Sequence, residues 1–122
     1  MVRIKKIRVG AELEFFTVND SGEMVNRSDA LIKKLKMNQN LEKIDVQPEI
    51  GKSMVELNFP PAEDMTSVYE NVISSLANIY ESAESLGLIP LLSGTYPGRA
   101  TYKMRRKKWY SAKRKVVGKV IE

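Results

Sequence analysis

A chain of 122 residues with 43% hydrophobic residues, few Gly and few Pro is long enough for one domain with a real core, short for two, and too apolar to be disordered. Cysteine and histidine are both absent, which excludes disulfides, thiolate chemistry, histidine ligands and every histidine-containing triad. The net charge of +5 is uneven: residues 1–98 carry ten Lys/Arg against fourteen Asp/Glu, whereas residues 99–122 carry ten against one.

Residues 2–18 read as a strand, with Ile4, Ile7 and Val9 leading into the alternating VGAELEFF. The basic start, MVRIKKIRVG, has no signal-type apolar segment after it, and no apolar run nears the roughly 20 residues that cross a bilayer. A cytoplasmic protein is expected. Asn19-Asp20-Ser21-Gly22 is a turn, because short polar side chains compete for backbone hydrogen bonds and Gly accepts positive φ. Leu31, Ile32 and Leu35 recur at helical spacing and predict a helix over 28–37, with Ser28 or Asp29 capping its start.

A hairpin is predicted from strands 44–50 and 53–59, turning at Gly51-Lys52. Pairing Ile50 with Ser53 sets Glu49 opposite Met54, Gln47 opposite Glu56 and Asp45 opposite Asn58. Directly opposite residues share a face, and faces alternate along a strand. One face is then polar, and the other reads Ile44, Val46, Ile50, Val55, Leu57 and Phe59. Pro60-Pro61 is expected to close the strand for want of ladder amides.

Residues 65–86 predict the longest helix, with Asp64 as N-cap. Its apolar stripe is Met65, Val68, Val72, Leu76, Ile79, Ala83 and Leu86, and Gly87 stands at the C-terminal cap position. Residues 88–93 predict a strand returning to the sheet, followed by the tight loop Gly94-Thr95-Tyr96-Pro97-Gly98. Residues 99–115 are Lys/Arg-rich with interspersed aromatics, and 116–121 read as a further strand. The fold class is therefore α+β: an antiparallel or mixed sheet with helices on its apolar face.

Packing the long helix on that face leaves Glu12, Glu14, Glu49 and Glu56 together on the other. Carboxylates crowded in this way raise one another's pKa and cost stability unless a cation offsets them. With oxygen as the remaining ligand, Mg²⁺ or Mn²⁺ is the favoured metal. Alternating glutamates also line the wet face of ordinary antiparallel sheets, so spacing alone leaves both readings open. Asn58 and Gln47 can orient a ligand from the same face, and Thr95 and Tyr96 offer hydroxyls at a strand end. The basic segment has three readings: nucleic-acid binding, a phosphate clamp drawn from residues such as Arg105, Arg106 and Lys108, or a solvated surface. The acidic body argues against a polyanion.

VGAELEFFTVNDSGEMV at 9–25 and the stretch from PEIGKSMVELNFPP to GTYPG at 48–98 resemble the carboxylate–amine ligases of the glutamate–cysteine ligase type 2 family, which share the glutamine synthetase-like fold. The resemblance implies an ATP-dependent ligase: ATP phosphorylates a substrate carboxylate, and an amine attacks the acyl phosphate. It implies that Glu12 and Glu14 are the ExE metal pair of the first strand, that Glu56 is the glutamate of the later strand, and that Glu49 joins them around Mg²⁺ or Mn²⁺. Relatives commonly carry His where this chain has Tyr96. The chain resembles the N-terminal part of a longer ligase domain, so a second copy, a complementary subunit or further sequence is expected to complete the site. The alternative is a non-catalytic structural or regulatory subunit, and nucleic-acid binding ranks third.

Overall fold

The computed structural model describes residues 6–93, 96–98 and 103–105. The strand predicted over 116–121, residues 2–5 of the predicted first strand, and Thr95, Arg106 and Lys108 lie outside these residues, and the first strand begins at Val9, so residues 6–8 do not belong to it as predicted. The described elements run β1 (Val9–Val18), α1 (Ser28–Met37), a single 3₁₀ turn at Gln39–Leu41, β2 (Asp45–Pro48), β3 (Met54–Ala62), α2 (Met65–Glu84) and β4 (Ile89–Leu91). Four strands form one sheet in the order β2-β3-β1-β4, and every pairing is antiparallel. The α+β class and the helix-covered face are as expected. Among the described residues no helix is long and apolar enough to cross a membrane.

The covered face is built by alternation. Phe15 on β1, Val46 on β2, and Val55, Leu57 and Phe59 on β3 are buried against Leu31, Ile32 and Leu35 of α1 and Ile79 and Ala83 of α2. Each fully buried side chain of this size contributes about 1.5–3 kcal/mol by leaving water. Of the predicted stripe on α2, Met65 at the first position is exposed, whereas Val68, Ile79 and Ala83 are buried, so the helix packs from its second turn to its last.

Both ends of α2 are capped. Asp64 is extended, and its carboxylate accepts a 2.7 Å hydrogen bond from the Ser67 amide. That bond holds its pKa below the usual aspartate range. At the other end the Leu88 amide donates to Ala83 O and the Gly87 amide to Glu84 O, both at 2.9 Å. This closure needs Gly87 at φ +68°. A Cβ there would meet nothing within 4 Å, so its cost is conformational alone. Gly87→Ala is expected to lower stability by about 1–2 kcal/mol, measured by urea denaturation, with Gly87→Asn milder because Asn tolerates the left-handed region.

Three local expectations are corrected. The β2–β3 register is the predicted one, with Asp45 opposite Asn58 and Gln47 opposite Glu56, but the ladder stops at Pro48 opposite Val55. Residues 50–52 turn instead to the segment 103–105. Lys52 N donates to Lys103 O at 2.8 Å, Arg105 N donates to Ile50 O at 2.9 Å, and Gly51 bridges Met104. Pro60 and Pro61 lie inside β3 rather than ending it. The register shifts there, with Val9 opposite Ala62 and Ala11 opposite Phe59, and β2 has already ended, so no neighbour needs the missing amides. Finally, neither Ser28 nor Asp29 caps α1; Arg27 occupies that position without a side-chain cap bond.

Candidate functional site

The face of the sheet away from the helices is ordered in rows by the strand register. Gln47, Glu56 and Glu14 form one row, and Asp45, Asn58 and Glu12 the next. On the far side of Glu14, Phe16 stands opposite Met54 and pairs with Leu91. The face therefore changes from acidic to apolar halfway along β1. Phe16, Val18 and Met24 are buried there, with Met54, Leu91 and Tyr96 packed around them. In the sequence, Phe16 and Met54 mark that apolar half. The fuller signal lies in the in-phase series Glu12, Glu14, Phe16, Val18.

One carboxylate oxygen each from Glu14, Glu49 and Glu56 can be chosen so that all lie within 4.8 Å of one another. Glu14 and Glu56 are directly opposite on paired strands. Glu49 joins from just beyond the end of β2, and its Oε2 lies 3.4 Å from the Ile50 amide nitrogen. Glu12 is one row away on the same face, facing Asn58. The Glu56 pKa is raised, chiefly by partial burial and then by the charges of Glu49, Glu12 and Glu14, while a hydrogen bond with Asn58 acts in the opposite direction.

The ion pairs among the described residues are Lys6–Glu63 and Arg105–Asp29, so no described cation neutralises the cluster. Hard oxygen donors crowded in this way suit Mg²⁺ or Mn²⁺ in both charge and ligand type. Beside them is an open depression of about 440 Å³ lined by Glu12, Leu13, Glu14, Met54, Leu92 and Ser93. Gln47 turns away from the cluster and donates to Asp45 Oδ1 at 2.7 Å.

Two expected site residues have internal partners instead. The Tyr96 hydroxyl donates to Gly22 O at 2.6 Å and accepts from the Met24 amide at 3.1 Å. Its ring stands 5.9 Å from that of Phe16, tilted by 56°. The phenol thus pins the 19–24 turn to the sheet through two main-chain bonds. Arg105, expected at a phosphate, is 6% exposed. Its guanidinium donates to Glu49 O at 2.7 Å, to Ser28 Oγ at 2.9 Å and to Asp29 Oδ1. All three nitrogens of that fork are thus engaged within the protein, one of them by the exposed Asp29 carboxylate.

Residues 8–122 match the family model described as glutamate–cysteine ligase family 2 (GCS2). A protein of Frankia alni, named as a candidate glutamate–cysteine ligase 2-3, is 32% identical over 94 residues, covering 76% of this chain and 10% of its own. Two proteins of Legionella pneumophila, named as candidate glutamate–cysteine ligases 2-1 and 2-2, are each 30% identical over 94 residues, covering 76% of this chain and 24% of their own. The matched stretch is thus between a tenth and a quarter of the length of these curated relatives.

Proposed function

The chain belongs to glutamate–cysteine ligase family 2, and from that premise we propose that it forms the metal- and nucleotide-binding part of an ATP-dependent carboxylate–amine ligase. The observation that carries this reading is the meeting of Glu14, Glu49 and Glu56 within 4.8 Å on one face of a packed sheet. Two of the three stand on paired strands, which hold ligands more rigidly than loops do.

In this reading Glu14, Glu49 and Glu56 hold Mg²⁺ or Mn²⁺, with Glu12 beside them. An ion held by these carboxylates would neutralise the negative charge that gathers as a phosphoryl group is transferred. The acceptor is an amino-acid carboxylate, whose oxygen takes the γ-phosphoryl group of ATP and releases ADP. An amine then attacks the acyl carbonyl, phosphate leaves, and the nitrogen loses a proton to give the amide. Glu12 and Asn58 border the acidic row and orient the ligands that reach it. Thr95, Arg106 and Lys108 stand as the substrate- and phosphate-facing candidates. The remainder of the acceptor and amine sites comes from further sequence, a second copy or a complementary subunit, and a cytoplasmic location is part of the same reading.

Calorimetric titration of Mn²⁺–ATP into the wild type and a Glu12→Gln/Glu14→Gln variant tests this. The wild type is expected to bind, and the variant to bind at least about tenfold more weakly, the smallest loss usual even for a residue one shell out from a metal. Equal binding by both overturns the reading.

A further inference from the structure

Glu14 and Glu56 are fixed by strand pairing, but Glu49 is not, because the β2–β3 ladder ends at Pro48. Something else must hold this third carboxylate. The Arg105 Nε donates to Glu49 O at 2.7 Å, and the Arg105 amide donates to Ile50 O at 2.9 Å. Arg105 thus grips the two consecutive carbonyls that follow the Glu49 side chain.

The geometry of the peptide bond gives this grip a direction. The Glu49 carbonyl and the Ile50 amide belong to one planar trans unit, so they point to opposite sides. Drawing the carbonyl toward Arg105 turns the Ile50 N–H away from it, toward Glu49 Oε2 at 3.4 Å. The guanidinium is itself anchored on the first turn of α1, by Ser28, which is wholly buried, and by Asp29. Its charge is paired with Asp29 and not with Glu49, so the Glu49 carboxylate is oriented without being neutralised.

We propose that Arg105 is a positioning residue for the carboxylate site, holding Glu49 beside Glu14 and Glu56 through the Glu49–Ile50 peptide. This rests on the metal-binding reading given above. A guanidinium fork reaches Glu49 O, Ser28 Oγ and Asp29 together, whereas the single ammonium of a lysine does not reproduce that geometry.

The test is a Mn²⁺ titration, followed by the EPR signal of the free ion, on the full chain and on Arg105→Lys, Glu49→Gln and the double variant. Thermal midpoints are recorded alongside. Arg105→Lys is expected to weaken Mn²⁺ binding about tenfold, within the range for residues that orient metal ligands. In the Glu49→Gln background the same change is expected to have under about twofold effect, because the carboxylate through which it acts is gone. Loosening of the fold in general would lower the midpoint and weaken binding equally in both backgrounds, and that result overturns the proposal, as does unchanged affinity in Arg105→Lys. Should Arg105→Lys fail to fold, Ser28→Ala, which removes one anchor of the guanidinium, is carried through the same cycle and judged by the same criterion. Glu14→Gln separates the two ideas. If it loses Mn²⁺ while the Arg105 cycle shows no dependence on Glu49, the metal site stands and the positioning role falls. If the wild type does not bind Mn²⁺ or Glu14→Gln binds as well as wild type, both fall.

Discussion

Glu56→Gln is expected to stabilise the metal-free protein while weakening Mn²⁺ binding by more than about tenfold. Gln keeps the volume and the partly buried position of Glu56 but removes the charge that burial and Glu49, Glu12 and Glu14 disfavour. Relief of the direct Glu14–Glu56 opposition is worth about 0.2–1 kcal/mol on the scale of cross-strand pairs. The same logic sets a pH dependence. The folded-state pKa of Glu56 lies above its unfolded value, so the folded chain binds more protons in the interval between them. The contribution of this group therefore makes the metal-free protein more stable as pH falls through the raised value toward the ordinary glutamate range, and adds nothing further below it. Mn²⁺ affinity runs the other way, tightening as pH rises, because ion and proton compete for the carboxylates. Urea denaturation with and without Mn²⁺, from about pH 7 to about pH 4, measures both slopes. A metal-free Glu56→Gln variant no more stable than wild type at neutral pH would contradict the account.

Phe15→Ala is expected to cost about 3–5 kcal/mol, a large share of the roughly 5–15 kcal/mol that holds a domain together. Phe15 is 1% exposed, belongs to the main core cluster and stands opposite Val55, which is also fully buried. Removing the ring leaves a cavity between the sheet and its helices that paired strands cannot collapse to fill. Ile73→Ala on the outer side of α2 is the control. At 48% exposure its loss is expected to stay within about 0.5 kcal/mol. Chemical denaturation of the two variants separates the buried face of the helix layer from its outer face.

The register of β2 against β3 was legible because both strands alternate and one apolar face excludes a one-residue slip. It placed Gln47 opposite Glu56 and Asp45 opposite Asn58, as found. Both ends of α2 were legible for a similar reason: Asp64 and Gly87 act on the backbone next to them. What was not legible depends on partners far along the chain. Ser28 and Asp29 look like capping residues, yet their side chains are engaged by Arg105, which nothing local distinguishes within the basic run around it. Tyr96 in a GTYPG loop looks available to a ligand, but its hydroxyl lies between Gly22 and Met24. Pro60-Pro61 reads as a strand end because proline lacks the ladder amide, yet β2 stops short of both residues and β3 runs on through them.

The sheet order has a consequence for how the protein is made. Of the described strands β1 comes first in chain order, but it lies between β3 and β4, so both of these neighbours emerge from the ribosome after it. Until then a stretch rich in Val, Leu and Phe waits with its edges open, the situation in which nascent chains pair with one another. Glu12 and Glu14 interrupt that stretch with charges at alternate positions, a pattern that discourages premature stacking between copies. The two acids thus protect the newborn strand well before the partners that complete its surroundings exist.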